Sequence, residues 1–486
     1  MTFFTLSHQA RTPTDLDPLV AAAEAAGATV VADHTSSTRR IVRLEGADDL
    51  AERLAAPPGV ILERDEPRGP MQAHPVGFRG ASPATLSAPP AGDAPETFVL
   101  HVTGAGRPLA STGVLLYLQG AGGDQKMLPA ETDASGTATF SFDPSVYDVA
   151  GAMAVPTDDY WTLHVPHPAN RDTIDCPALP ETSRLMWWHE AVGITTWDES
   201  LGAGISVGVV DTGVSPNAWL AHVVDGGSIV AGVHSADGTD VNGHGTHVCG
   251  VVAARPTGPG TGGIAPGASV TSIRVYPPPG LATSPADVAS AIDALAEAGT
   301  DLVNLSLYSA TQSSLETDAI ANAWAAGTVC LAAAGNVSGP VLWPAATPEA
   351  CAVAALGRAG WGPPHADVDD YVPTDPAWFG RDDLYLANFS AHGDGLACAM
   401  PGVGIVSTAP ATATTTASSE QSGTSCATPV AVGVLAAALS KDATYLALPR
   451  GPERSARAKE VLASCCEAIG IPPALVGPGL AVVPAG

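Results

Sequence analysis

At 486 residues the chain is long enough for two or three folded domains. Its 49 acidic against 21 basic residues give a formal net charge of −28, which excludes nucleic acid as a partner because phosphate binding depends on Lys and Arg. No run of eighteen apolar residues occurs, so no membrane partner is expected, and the eight cysteines follow no zinc spacing.

In chain order, residues 1–9 carry neither the charged head nor the apolar core of a signal peptide, so a cytoplasmic location is expected, with export by another route left open. Residues 1–66 read as strand 3–6, helix 17–26, strand 28–33, strand 40–44, helix 47–55 and strand 60–63, a ferredoxin-like β-α-β-β-α-β domain. Residues 67–95 are rich in Pro, Gly, Ala and Ser without periodicity and read as a linker. Short strands at 97–102, 113–118, 137–142 and 161–165, with an Asp133-Ala134-Ser135-Gly136 turn, predict a small β-sandwich over 96–166 with a structural or partner-binding role. The largest domain, 181–486, opens on a segment holding Trp187, Trp188, His189 and Trp197.

Four segments of this last domain carry chemistry. Residues 206–213 read as an apolar strand ending on Asp211, with Gly213 allowing a sharp turn. In 242–250 a glycine-flanked His244 opens a helix of small residues, and 329–336 is a buried strand that leaves through Gly335 to Asn336. Ser425 sits where the turn at Gly423 enters the apolar stretch 430–439. A hydroxyl is a poor nucleophile at neutral pH and needs a base plus a group that orients it, which His244 and Asp211 supply. Acyl transfer also builds negative charge on the carbonyl oxygen, which Asn336 is suited to meet. Taken singly, each of these residues is an ordinary turn or cap residue. An aspartic protease is excluded, since no second Asp-Thr-Gly or Asp-Ser-Gly exists. A metal pair at His244 and His247 lacks the following Glu and any further ligand cluster.

The order Asp211, His244, Ser425 in these contexts resembles the subtilisin-like serine proteases. The resemblance covers most of 181–486 and implies an α/β fold, a parallel sheet with helices on both faces, preceded by the α+β domain and the sandwich. It implies a serine endopeptidase working through an acyl-enzyme on Ser425, either self-processing or maturing one protein partner. Segment 301–307 is similar to the family's substrate-binding edge, so Ser306, Leu307 and Tyr308, with Val337 beside the oxyanion donor, are implied to bind the peptide. Residues 1–66 resemble a subtilase propeptide, with cleavage expected between about 166 and 185. The sandwich is similar to transthyretin-like or carboxypeptidase regulatory-like modules.

Departures from the family pattern carry their own expectations. Tyr308 replaces a glycine and narrows the pocket, while Val337 stands where relatives carry a carboxylate and favours an apolar or uncharged residue before the scissile bond. Cys426 follows the nucleophile in place of Met. Trp219, and the few side-chain oxygens in 255–262, argue against a structural calcium, so no metal and no cofactor is expected. The rivals are a catalytically inactive subtilase-fold peptide binder and an esterase or transferase using the same acyl-enzyme.

Overall fold

The computed structural model describes residues 2–36, 38–54, 56–70, 96–181, 183–280 and 282–484. At the N-terminus β1 (Thr2–His8), α1 (Asp17–Ala25), β2 (Thr29–Thr35), β3 (Arg40–Gly46), the single turn α2 (Leu50–Arg53) and β4 (Val60–Arg64) build an antiparallel sheet of order β2-β3-β1-β4. Phe4, Leu6, Val42 and Leu44 share a small core with Leu16, Ala23 and Leu50, so the inward positions of the strands meet the helices.

The chain then does something its composition hides. Gly69–Pro70 forms a short strand, β5, so the linker read over 67–95 does not begin as free chain. Residues 71–95 lie outside the described residues. A strand rich in Gly and Pro has little propensity of its own, and this one exists because an unpaired edge of the third domain receives it.

The sandwich consists of β6 (Glu96–Gly104), β7 (Arg107–Pro108), β8 (Gly113–Gly120), β9 (Gln125–Glu131), β10 (Thr137–Phe142), β11 (Tyr147–Val155), β12 (Leu163–Pro166) and β13 (Thr173–Cys176). One sheet runs β10-β6-β13 with β7 on β6, the other β12-β11-β8-β9. The boundary read at 166 therefore moves to 176, because β13 pairs in parallel with β6.

The third domain follows with β14 (Ser183–Arg184), α3 (Trp187–Ala191), β15 (Ser206–Asp211), β16 (Val224–Val230), β17 (Val233–Ser235), α4 (His244–Ala253), β18 (Gly260–Thr261), β19 (Ser269–Arg274), α5 (Pro285–Glu297), β20 (Leu302–Leu305), β21 (Leu307–Tyr308), α6 (Ser314–Ala326), β22 (Val329–Ala333), β23 (Cys351–Arg358), β24 (Leu384–Leu386), β25 (Leu396–Pro401), β26 (Ile405–Thr408), β27 (Ser418–Gln421) and α7 (Thr424–Leu439). Its main sheet has the order β17-β16-β19-β15-β20-β22-β23-β24, with β25 also on β23. The pairs from β16 through β23 are parallel. Strands buried on both faces need apolar residues throughout, which Val207, Val209, Val210, Leu302, Val303 and Leu331 supply. Helices α5 and α6 pack together on one side, and α4 and α7 on the other. From β15 the chain goes to β19 on one side and later to β20 on the other, so strand order reverses there and opens a crevice at the carboxyl ends.

The N-terminal domain docks on α5 and α6. Glu63 accepts from Ser314 N at 2.7 Å and from the Ser313 hydroxyl, capping α6 from outside. The sandwich packs elsewhere, with Asp159 N donating to Ser418 O at 2.6 Å and Trp161 meeting Trp361 edge-on. Its core runs without a break into that of the third domain. All eight cysteines are free thiols, seven of them buried. No helix among the described residues is long and apolar enough to cross a membrane.

Candidate active site

Asp211 is the last residue of β15 and His244 the first of α4. Their approach depends on Gly245: a Cβ there would lie 2.2 Å from Gly213 O, so only glycine lets the helix start this close to the loop after β15. His244 Nδ1 is 2.7 Å from Asp211 Oδ1, and both side chains are buried. Asp211 Oδ1 also accepts from Thr212 N at 2.7 Å, which fixes the carboxylate. A carboxylate can only accept, so Nδ1 carries the proton and Nε2 keeps its lone pair. Nε2 is buried and has no hydrogen-bond partner among the described residues.

Burial opposes a charge on His244, but the Asp211 carboxylate, by charge and hydrogen bond, and Asp240 beyond it outweigh that and raise its pKa above the ordinary imidazole value. Asp240 was not singled out from the sequence. Its Oδ1 accepts from Thr212 Oγ1 at 2.8 Å, Asn242 N at 2.9 Å and Gly243 N at 2.8 Å, and its Oδ2 from Thr246 N at 2.8 Å. An acid at the N-terminus of a helix is the signal that would have found it. His247 differs from His244: its Nε2 is tied to Ile405 O at 2.9 Å and burial holds its pKa down to about 3.

Ser425 is the second residue of α7, where backbone N–H groups point out along the axis. Its carbonyl accepts from Ser306 Oγ at 2.8 Å, which ties the start of α7 to the end of β20. Asn336 leaves β22 through Gly335, whose φ of +131° lies in the region that favours glycine. Asn336 Oδ1 accepts from Thr424 N and Thr424 Oγ1, each at 2.8 Å. Because a backbone N–H can only donate, the amide orientation is settled, and Nδ2 is a buried donor with no partner among the described residues. Such a donor beside a helix N-terminus suits an oxyanion.

Leu307 and Tyr308 form β21, with Leu307 buried and Tyr308 half-buried, and Gly69 and Pro70 pair with them in antiparallel register. Val337 is 44% exposed at the mouth of the turn after Asn336. Thus Asp211 and His244 meet directly, Asn336 and Ser425 are joined through Thr424, and Ser306 links Ser425 to β21.

The model of the subtilase family matches residues 202–457. Subtilisin DY of Bacillus licheniformis is 33% identical over 251 residues, 51% of this chain and 80% of that protein. Thermitase of Thermoactinomyces vulgaris is 34% identical over 244 residues, 49% of this chain and 76% of that protein. Among solved structures, a cold adapted subtilisin-like serine proteinase aligns at 22% identity with a TM-score of 0.48, over 63% of this chain and 100% of that one.

Proposed function

The chain belongs to the subtilase family and is a subtilisin-like serine endopeptidase, and from that premise we propose that Ser425 is its nucleophile, His244 its base, Asp211 the group that orients the base and Asn336 its oxyanion donor. Ser425 Oγ attacks the peptide carbonyl while His244 Nε2 takes the hydroxyl proton. The C–N bond then breaks, the same proton passes to the leaving amine, and an acyl-enzyme remains. Water, deprotonated by His244, hydrolyses that ester in a second round. Asn336 Nδ2 and the Ser425 N–H hold the oxyanion in both steps. The observation that carries this reading is the buried Asp211–His244 bond of 2.7 Å, with an unpartnered Nε2 beyond it. Ser306, Leu307, Tyr308 and Val337 bind the peptide, with β21 as the strand it joins. A fluorophosphonate probe should label the wild-type chain and not Ser425→Ala; an unlabelled wild-type chain would leave a peptide-binding relative without activity.

Residues 1–70 act as an inhibitory domain. The support is β5 itself, which occupies the edge that a substrate would use. Segment 166–185 is a poor place for the processing cut, since Ile174, Cys176 and Leu179 are core residues and Ser183–Arg184 pairs with Gly260–Thr261. A cut in the residues that follow Pro70 fits better. Intact mass of the purified chain beside its Ser425→Ala form tests this: equal masses end the idea of processing in cis. The sandwich offers a surface for a protein partner, and eight free thiols suit a reducing, cytoplasmic compartment.

A further inference from the structure

Arg68, one residue before β5, is almost wholly buried in the third domain. Its N donates to Thr283 O at 2.8 Å and its O accepts from Thr283 N at 2.9 Å, so residues 68–70 lie between Thr283 on one side and β21 on the other. The guanidinium Nε is 3.0 and 3.1 Å from the two carboxylate oxygens of Glu316, and Nη2 is 3.0 Å from Oε2. Nη1 donates to Glu66 O at 2.6 Å. Both side chains of the pair are 1% exposed.

The register tells where this arginine stands relative to the chemistry. Gly69 is opposite Tyr308 and Pro70 opposite Leu307. Ser306, the next residue along the edge, bonds the Ser425 carbonyl. A peptide bound in the same register sets its following residue opposite Ser306 and presents the bond after that residue to Ser425. An arginine at the place of Arg68 is then the fourth residue before the scissile bond. Resting on the protease reading above, we infer that this subsite selects arginine through Glu316, so that the substrates are peptides and proteins carrying an arginine four residues before the bond that is cut.

The paired geometry of the Glu316 carboxylate favours a guanidinium there. Burial raises the Glu316 pKa, Arg68 opposes this by charge and hydrogen bond, and Glu63 nearby adds to the rise. When residues 68–70 leave the edge, the carboxylate stays on α6, whose third residue it is, with its backbone held by Ser313 Oγ at 3.1 Å. A neutral side chain entering the pocket would cover that carboxylate without pairing it, which is costly in a buried site. Lysine lacks the planar fork that meets both oxygens at once.

The test uses the full chain and two internally quenched peptides. One copies residues 68–73 and the other replaces its arginine by citrulline, which keeps the shape and removes the charge. We expect kcat/KM on the order of 100-fold higher for the arginine peptide, with cleavage after the fourth residue. In Glu316→Leu the ratio should collapse to within about threefold. Equal rates on both peptides in the wild-type chain, or an arginine preference undiminished in Glu316→Leu, would overturn the inference. So would failure to cleave the arginine peptide by protein whose serine takes up a fluorophosphonate and whose Arg68 and Thr283 amides exchange freely, the sign that residues 68–70 have left the edge. A wild-type chain that takes up no fluorophosphonate refutes instead the protease reading beneath it.

Discussion

Arg39 offers a direct measure of how firmly the N-terminal domain is held. It sits between β2 and β3, 1% exposed, with Nε 2.6 Å and Nη2 3.3 Å from the Asp293 carboxylate on α5. Nη1 lies 2.8 Å from Asp318 Oδ2 on α6, though without the alignment of a hydrogen bond. Arg39→Met keeps most of the buried stem and removes the charge. Removing one partner of a buried pair costs about 3–5 kcal/mol. Asp293 would keep its bond from Asn322 Nδ2 at 3.1 Å and Asp318 is 21% exposed to water, so the lower end applies. About 3 kcal/mol corresponds to roughly 150-fold more of the undocked form. Hydrogen exchange in a Ser425→Ala background reads this at the Arg68 and Thr283 amides, which bond across the edge and open when the domain leaves. Both should exchange about 100-fold faster in Arg39→Met, while amides of β15 stay protected. The effect should shrink in acid, because burial already raises the Asp293 pKa and an orphaned carboxyl is neutralised there. Exchange at the two amides unchanged within about threefold would refute the claim that this ion pair holds the domain.

Asp211→Asn removes the acceptor that keeps the His244 proton on Nδ1, and kcat on a peptide should fall on the order of 10⁴-fold; a loss below about tenfold would count against the assignment. Catalysis needs neutral His244, so kcat/KM should decline as pH falls through a value above that of an ordinary imidazole, and Asp240→Asn, which takes away a nearby negative charge, should move that limb to lower pH. Asp367 and Glu420 are buried together; desolvation, with the Asp370 charge, lifts Asp367 to about 7 against hydrogen bonds with Tyr371 and Glu420, and desolvation with the Asp367 charge lifts Glu420 well above its usual range. Because the folded state holds these protons more tightly than the unfolded one, their contribution is complete in acid and lost as pH rises through about 7. Thermal midpoints between pH 5 and 8 should therefore slope downward, and Glu420→Gln should flatten the slope.

Much of this protein is local and is legible in the sequence alone. A strand that stops at Asp211, a histidine between Gly243 and Gly245, and a serine behind Gly423 are defined by their immediate neighbours, because glycine and helix starts act over a few residues. The N-terminal elements were legible for the same reason, their periodicity marking inward and outward positions. In the sandwich, β9 alternates only weakly and the middle of β11, Ala150 to Ala152, is Ala and Gly, residues with little strand propensity, so neither strand is marked in the sequence. Nothing near Glu316 marks it as more than a residue of an amphipathic helix, and Arg68-Gly69-Pro70 reads as loop. Their roles exist only when segments almost 250 positions apart share one buried edge. The residue types at the site were thus set by sequence, since each follows from short-range backbone geometry. What occupies the cleft, and the charge it meets there, was decided by tertiary structure, because a buried ion pair depends on long-range contacts that remove both partners from water.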